Sequence, residues 1–428
     1  MGMRKITASR AAMLIALGGV CLLALSACTA SPGGTGTPST SASPAATPGS
    51  GIRPGYQDQT ALEFSPLIID ALSSQVVPVE GSDGLIYVAY ELRVLNSAPR
   101  DATITAIETL AGDEGGAVLA TVDQARIASN TMLIGGAERN TATIPAGRTA
   151  IVVFRDTYPA RADVPKTFTH RIHATFAAPK EGAPRLAANY PDQVAQIGGA
   201  LTTSTDAPLV IGSPVSGTNW FANNGLDPTR LNAHSDVVIP LGGRIVSAET
   251  YGIDFMRIDP ATMSSDRGDP TQNASYLAFD EPLLAVADGK VVRADTDHPD
   301  VAPQVLPDLS VLEDATGNQV VLDLGGGVFA TYAHMKQGSA TVKVGDTVTK
   351  GQEIGRLGNS GNTSEAHLHF QLQRGSLISA DNVPWVFDTF ESIGALSADQ
   401  THIVAPPKPG TRTKEIPVFG SVFSIPAK

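Results

Sequence analysis

The stretch VGDTVTKGQEIGRLGNSGNTSEAHLHFQLQ, residues 344–373, decides the fold of the chain. Its end carries two histidines, His367 and His369, two positions apart between apolar residues. In a β-strand, residues i and i+2 point to the same face, about 7 Å apart. The two imidazoles can therefore act together on one small object, such as a metal ion and its water. If no other site residue accompanied these two histidines, the alternative interpretation would be a half-buried strand on which both face solvent.

Composition favours a β-rich protein of more than one domain. The chain has 428 residues, enough for two or three domains. Its low aromatic content of 5%, with 42 Gly and 30 Pro, is typical of a turn-rich β protein. The formal net charge is −12 and there is no basic stripe, so we expect no nucleic-acid partner. The acidic excess indicates a solvated surface.

The N-terminal 27 residues predict a lipoprotein signal peptide. Arg4, Lys5 and Arg10 precede an apolar run that is short for a membrane span, and the segment LSAC (residues 25–28) follows. LSAC resembles a bacterial lipobox, which implies cleavage before Cys28 and lipidation of its thiol. The alternative is an ordinary signal peptide or a short membrane anchor. The lipid would tether the protein to the outer face of the bacterial cell membrane.

Cleavage at that point changes the charge and the cysteine count. The three basic residues are lost with the signal peptide, which takes the net charge from −12 to about −15. Cys21 is lost as well, so the mature chain keeps Cys28 alone and cannot form an internal disulfide. Stability must then come from packed cores.

Changes in sequence pattern divide the mature chain into five parts. Residues 28–56 are rich in Ser, Thr, Pro and Gly and predict a disordered linker. Residues 57–180 alternate with period two and predict a β-sandwich. In this region one strand face is formed by Ile86, Val88, Tyr90, Leu92 and Val94. The remaining parts are a connector (181–206), a segment with every candidate site residue (207–395) and a surface-wrapping tail (396–428).

Five motifs occur in order in the C-terminal half. TYGIDF (250–255) contains a Gly-x-Asp pattern, and DEPLLAVADGKVV (280–292) predicts a strand and a tight turn. GGGVFATYAHM (325–335) carries His334, and the stretch 344–373 adds V-G-D-x-V-x-K-G-Q-x-I-G and H-L-H-F. This succession resembles the lysostaphin- or LytM-type zinc metalloendopeptidases, which cut peptide crosslinks in bacterial peptidoglycan. The resemblance covers residues 210–390.

The resemblance implies an all-β protein in which a LytM-like antiparallel β-sheet domain, the duplicated hybrid motif, follows the sandwich. It implies one Zn²⁺ ion held by Asp254 and His369. His367 would be the general base, and His334 would stabilise the tetrahedral intermediate. Tyr332 and Asn359 would line the substrate groove, and peptidoglycan peptides would be the substrate.

These roles agree with the chemistry of the residues. A catalytic zinc site has three protein ligands and one open position for water. The ion lowers the pKa of that water toward 7 and polarises the scissile carbonyl. A neutral imidazole can accept the proton, and an imidazolium can stabilise the developing oxyanion.

The sequence departs from the family pattern at one position. The family has an H-x-G-x-D pattern, and Thr250 stands where its first histidine ligand is expected. A threonine hydroxyl is a poor zinc ligand, so the metal would be bound weakly or not at all. His234, sixteen residues upstream, is the candidate replacement, and the alternative is a surface histidine in a loop. An imidazole more than about 8 Å from Asp254 and His369 would exclude this role, because zinc–nitrogen bonds are about 2 Å long.

Other functions remain open from the sequence. The main alternative is a catalytically degenerate LytM-like protein, without metal, that binds wall peptides or regulates another cell-wall hydrolase. A further alternative is a structural surface protein whose sandwich does the binding. The hairpin motif also resembles biotinyl and lipoyl carrier domains, but their Met-Lys-Met tip is missing from the sequence. Neither the scissile bond nor the oligomeric state follows from the sequence.

Overall fold

The computed structural model describes residues 64–135, 138–307, 311–378, 381–406 and 408–426. The predicted signal peptide, the lipidation site Cys28 and the linker lie outside the described residues. No helix within the described ranges is both long enough and apolar enough to span a bilayer.

Residues 67–203 form the N-terminal unit, which consists of strands and short helical turns. Its strands are β1 (Leu67–Ala71), β2 (Gln75–Val76), β3 (Val79–Glu80), β4 (Ile86–Asn96), β5 (Ala102–Ala111), β6 (Val118–Asp123), β7 (Thr131–Leu133), β8 (Thr143–Ile144), β9 (Thr149–Tyr158), β10 (Thr167–Phe176) and β11 (Gln193–Thr203). Helix α1 (Gln124–Ser129) and the 3-10 turns Arg161–Asp163 and Arg185–Asn189 connect them.

Two sheets make up this unit. The first has the order β1-β4-β9-β7, with β3 also paired to β4, and the second has the order β2-β11-β10-β5-β6, with β8 also paired to β5. Side chains from both sheets share one buried cluster, which includes Leu92, Ile107, Phe168, Ile172 and Leu201. The alternating residues 86, 88, 90, 92 and 94 all belong to this cluster.

Strand β11 corrects the predicted connector. It lies within residues 181–206, and it pairs with β10 from Gln193 to Thr202. The pairing satisfies backbone hydrogen-bonding groups along β11, so this segment is part of the second sheet rather than a linker.

The C-terminal region is built on one long, mostly antiparallel sheet. Its strands and hairpins are β12 (Leu209–Ile211), β13 (Gly217–Asn223), β14 (Val238–Leu241), β15 (Arg244–Ser247), β16 (Ile253–Arg257), β17 (Pro282–Leu284), β18 (Gly289–Asp295), β19 (Asn318–Asp323), β20 (Phe329–Met335), β21 (Thr347–Val348), β22 (Glu353–Arg356), β23 (Leu368–Arg374), β24 (Asp381–Asn382), β25 (Trp385–Phe387), β26 (Phe390–Leu396), β27 (Ile403–Val404), β28 (Gly410–Arg412) and β29 (Ser421–Ile425). The 3-10 turns are His234–Asp236, Asn273–Ser275 and Leu312–Thr316. The all-β class is thereby confirmed.

The strand order of the long sheet places the candidate site near its centre. The order is β21-β18-β19-β20-β23-β16-β13-β29-β26-β27, with β24 on β23 and β28 on β26. Strands β14 and β15 form a separate hairpin, β17 pairs with β22, and β12 pairs in parallel with β25. The three central neighbours β20, β23 and β16 carry or adjoin the histidines and the aspartate predicted from the sequence.

The structure corrects the predicted surface tail at residues 396–428. Strand β29 lies inside the long sheet, between β13 and β26. Its Val422 and Phe423 are fully buried. Pro- and Lys-rich residues before this strand suggested a surface segment, but the last strand completes the sheet.

Phe423 provides a test of that placement. Its ring lies 5.7–6.2 Å from the rings of Phe255, Phe387 and Phe390, measured between centroids. We expect Phe423→Ala to lower the unfolding free energy of the C-terminal region by about 3–5 kcal/mol, because truncation leaves a cavity. Urea unfolding followed by fluorescence of Trp220 and Trp385 measures this. Ser424→Ala, at a half-buried residue of the same strand, should have little effect, and an unchanged midpoint for Phe423→Ala would contradict the placement.

Candidate metal centre and adjoining imidazoles

Three adjacent strands bring the predicted site residues together. Asp254 on β16 and His369 on β23 are directly opposite each other in the antiparallel register. On the other side of β23, His369 is opposite Ala333 of β20, and His334 follows Ala333. Side chains of directly opposite residues lie on the same face of a sheet. The register therefore places the Asp254 carboxylate and the His369 imidazole on one face of the sheet. Regular alternation would direct His334 to the other face, but its φ of +61° interrupts the alternation, and its ring lies 6.1 Å from the His369 ring, measured between centroids.

His234 joins this group from outside the sheet. It begins the 3-10 turn between β13 and β14, and only 5% of its surface is exposed. Its Nε2 lies 3.0 Å from Oδ1 of Asp254 and 3.1 Å from Nδ1 of His369. The distance is far below the 8 Å that would have excluded His234 from the site.

The three side chains present a compact triangle of ligand atoms. Nδ1 of His369 lies 3.0 Å from Oδ1 of Asp254, which closes a triangle with edges of 3.0–3.1 Å. Ligand atoms of a tetrahedral zinc ion, at bond lengths of about 2.0–2.1 Å, are about 3.3–3.4 Å apart. His234, Asp254 and His369 thus form a candidate metal site whose ligands need only small shifts to bind an ion.

Each of the three side chains is oriented by a hydrogen bond at its other polar atom. His234 Nδ1 lies 3.0 Å from the Gly252 carbonyl, and Asn224 donates to Oδ2 of Asp254 at 2.7 Å. His369 Nε2 lies 3.0 Å from Oε1 of Gln371. Because a carbonyl oxygen only accepts, Nδ1 of His234 and Nε2 of His369 each carry a proton. In the neutral rings, the other nitrogen of each histidine then directs a lone pair into the triangle. Such bonds orient metal ligands and set the histidine tautomer.

Gly252 gives His234 room to approach the other two ligands. A β-carbon at this position would lie 3.2 Å from His234 Nδ1 and 3.2 Å from His369 Cε1. Both contacts would be tight, and the two rings would have to shift to accept the extra atom. The glycine of the Gly-x-Asp motif therefore provides space for the ligand that comes from residue 234.

His334 and His367 form a second pair beside the triangle. Their ring centroids are 4.7 Å apart, and His367 Nε2 lies 3.5 Å from Oδ1 of Asp254. Their Nδ1 atoms lie 2.8 Å from the Ser360 and Glu365 carbonyls, so each nitrogen donates to backbone. The Nε2 atoms are consequently proton acceptors in the neutral rings. His334 also has a φ of +61°, an uncommon backbone conformation for a residue with a side chain.

Burial and mutual charge set the protonation of the site. Burial raises the pKa of Asp254, but the nearby His234 and His367 and the hydrogen bonds from histidines outweigh it and hold that pKa well below its usual range. Burial lowers the pKa of His234, yet the Asp254 carboxylate raises it more, to about 9. Without a metal, Nε2 of His234 therefore carries a proton at pH 7 and donates to Asp254, and a bound ion would displace this proton.

The second imidazole pair shifts in the opposite direction. Burial, together with His367 and His369, lowers the pKa of His334 well below its ordinary value. Burial also lowers the pKa of His367, although Asp254 opposes this. Both rings are therefore neutral at pH 7 and able to accept a proton.

Thr250, at the position of the expected family histidine, has different partners. Its hydroxyl lies 2.8 Å from the Ser247 hydroxyl and donates to Glu91 Oε1 at 3.4 Å. Glu91 belongs to β4 of the N-terminal unit. Thr250 is thus part of a hydrogen-bond network at the junction of the two regions.

The structure corrects the two predicted groove residues. Tyr332 is fully buried, because its ring packs against Phe370 and its hydroxyl accepts from the Val286 amide. Asn359 is also fully buried, and its Nδ2 donates to the Asn273 side chain and the Val301 carbonyl. Both residues support the fold around the site and do not line an open groove.

Sequence reasoning missed Gln371 and Asn224 as partners of the triad. Gln371 could have been predicted from the sequence, because it lies two residues beyond His369 on the same strand and therefore on the same face. Asn224 could not have been predicted in this way, since it reaches Asp254 only through the pairing of β13 with β16.

Comparisons with known proteins give a family match within the C-terminal region. Residues 275–380 match the model of peptidase family M23. The segment includes His334, His367 and His369, whereas His234 and Asp254 precede it.

Solved structures of similar proteins were found as well. The catalytic domain of the antimicrobial peptidase lysostaphin from Staphylococcus simulans is 23% identical, with 39% of this chain and 88% of that chain covered and a TM-score of 0.22. A catalytic-domain mutant of the prophage-encoded M23 protein EnpA from Enterococcus faecalis is 18% identical, with coverage of 42% and 92% and a TM-score of 0.22. A putative peptidase M23 from Pseudomonas aeruginosa is 14% identical, with coverage of 66% and 91% and a TM-score of 0.23. Residues 275–380 of the chain are thus similar to peptidase family M23.

Proposed function

We propose that the protein is a zinc metalloendopeptidase that hydrolyses peptide crosslinks of bacterial peptidoglycan. The observation that carries the proposal is the triangle of lone-pair atoms from His234, Asp254 and His369, next to the neutral pair His334 and His367. The substrate class comes from the resemblance to lysostaphin- and LytM-type enzymes and from the family M23 match. His234 replaces the nitrogen ligand that Thr250 does not provide.

The chemistry of the donor set suits zinc. Two imidazole nitrogens and one carboxylate oxygen are common zinc ligands, and three protein ligands are the usual number in a catalytic site. When bound, the ion would polarise the scissile carbonyl and lower the pKa of a water molecule.

The second imidazole pair would move the proton. His367 accepts it at Nε2, because its Nδ1 proton is held by the Glu365 carbonyl. The same nitrogen can later give the proton to the leaving amine. His334 stabilises negative charge only in its protonated form, since the Ser360 carbonyl holds its single proton on the far side of the ring. Two imidazoles 4.7 Å apart in a buried site do not both become charged, so the pair holds one extra proton at a time.

Metal analysis and a cleavage assay test the proposal together. We expect the full-length mature protein to bind about one equivalent of zinc and to cleave crosslinked muropeptides. His234→Ala should lose zinc and activity, because the ion then has two protein ligands. His173→Ala, a partly exposed histidine of the N-terminal unit that contacts Glu108, should retain both.

His367→Gln separates chemistry from metal binding. This variant should keep zinc and lose about 10²–10⁴-fold in cleavage rate, the usual effect of removing a general base. If the wild-type protein neither binds zinc nor cleaves muropeptides, a metal-free protein that binds wall peptides becomes the better description. That alternative rests on Thr250, which is not a zinc ligand.

Gln371 allows a test that does not depend on activity. Gln371→Leu removes the acceptor that holds the proton of His369 on Nε2, so we expect zinc affinity to fall about 10–100-fold. Competition with a chelator measures the affinity. Gln319→Leu is the matched control, because Gln319 is a buried glutamine on β19 with partners Asp295 and Thr316. Equal affinities for the wild type and Gln371→Leu would contradict the ligand assignment of His369.

We also propose that Cys28 carries the lipid that holds the enzyme at the outer face of the cell membrane. Support comes from the lipobox-like sequence of residues 25–28 alone. Cys28→Ala, expressed in a bacterial host, should move the protein from the membrane fraction to the soluble fraction, because the hydrocarbon chains supply the membrane affinity. Retention of the variant in the membrane fraction would indicate an uncleaved membrane anchor.

A further inference from the structure

The N-terminal unit and the C-terminal region meet at a buried ion pair. Arg155 on β9 donates to Oε1 of Glu91 on β4 at 3.0 Å, and 5% and 8% of the two side chains are exposed. The same carboxylate oxygen accepts from the hydroxyls of Ser247, at 3.1 Å, and of Thr250, at 3.4 Å. Glu91 therefore connects strand β4 directly to the turn that precedes Asp254.

That turn is held from its other side by the candidate metal centre. The Gly252 amide donates to the Glu249 carbonyl at 2.9 Å and closes the turn. The Gly252 carbonyl lies 3.0 Å from His234 Nδ1 and fixes the imidazole. A single residue, Tyr251, thus separates Thr250, which contacts Glu91, from Gly252, whose carbonyl orients His234.

Apolar packing supports the same junction. Met132, Ile151 and Val153 of the first sheet form one buried cluster with Val238 of β14, and Ile245 of β15 packs against it. On the other end of strand β4, Tyr87 and Ala89 belong to the core of the C-terminal region.

Polar contacts connect the segment around His234 to the N-terminal unit as well. Arg139 pairs with Asp236 at 3.1 Å, two residues after His234. Arg126 donates to the Pro228 carbonyl. The part of the chain that carries His234 is therefore packed on the first sheet and not only on its own domain.

We propose that Glu91 of the N-terminal unit is a positioning residue for the metal centre. It holds the turn 247–252, and this turn directs the lone pair of His234 toward Asp254 and His369. The proposal rests on the metal site put forward above. It also gives position 250 a role, since Thr250 is a contact of Glu91 where the related enzymes have a metal ligand.

Two substitutions test this in the full-length protein. Glu91→Gln keeps the shape of the side chain and removes its charge, and we expect zinc affinity to fall about 10–100-fold, as for partners that orient metal ligands. Thr250→Val removes one hydroxyl without leaving Arg155 unpaired, and should shift affinity in the same direction by less. Chelator competition gives the affinity, and the visible spectrum of the Co²⁺-loaded protein reports the ligand set.

The matched control is Glu108→Gln, which removes an ion pair with Arg171 in the second sheet. It should leave zinc affinity and the Co²⁺ spectrum unchanged. Thermal unfolding of the metal-free variants separates positioning from simple stability. A lower melting temperature for Glu91→Gln and Thr250→Val, with wild-type zinc affinity and a wild-type Co²⁺ spectrum, would overturn the proposal. Failure of the wild-type protein to bind zinc would instead overturn the proposed function.

Discussion

A buried carboxylate organises the candidate site. Asp254 is 6% exposed, and an ionised carboxylate in such a position is costly unless positive charge or hydrogen bonds compensate for the lost water. Asn224 satisfies Oδ2, and the imidazoles of His234, His367 and His369 approach Oδ1 within 3.5 Å. The buried negative charge of Asp254 favours a bound cation. In the proposed enzyme this cation is zinc.

The site also indicates how a metal ligand can change its position in the sequence. A zinc ion requires three atoms at suitable distances, but it does not require that they come from fixed sequence positions. His234 lies sixteen residues before Thr250, on a 3-10 turn rather than a strand. It reaches the triangle because Gly252 leaves space for the ring and supplies the carbonyl that orients it. The motif spacing is altered, and three donor atoms nevertheless converge in this chain.

Local patterns were sufficient to predict much of the fold. Alternation over residues 86–94 correctly identified one buried face of β4, and the HLH pair correctly indicated a strand. What the pattern could not show is the opposite face of β4, because Tyr87, Ala89 and Glu91 are covered by the C-terminal region. Their partners are remote in sequence, and Glu91 meets Thr250 across 159 positions. Strand β29 escaped prediction for a similar reason, since its burial depends on neighbours on both sides.

Two different parts of the protein support the two halves of the site. The N-terminal unit contacts the turn that orients His234. On the other half, the insertions around Asn273 and Val301 close over Asn359, and the Gln304 amide donates to the Ser364 carbonyl. The turn 359–365 below them provides the carbonyls that fix the tautomers of His334 and His367.

The absence of the family histidine at position 250 does not by itself exclude a metal site. The segment that matches family M23 contains three of the five central side chains, and the other two, His234 and Asp254, precede it. The register of β16 and β23 brings Asp254 and His369 together, whereas the approach of His234 involves residues 228–252, which contact the N-terminal unit. The H-x-G-x-D motif carries no information about these contacts, because they involve residues that are remote in sequence. A threonine at position 250 is consistent with an intact metal centre as long as this junction keeps His234 within about 3 Å of Asp254.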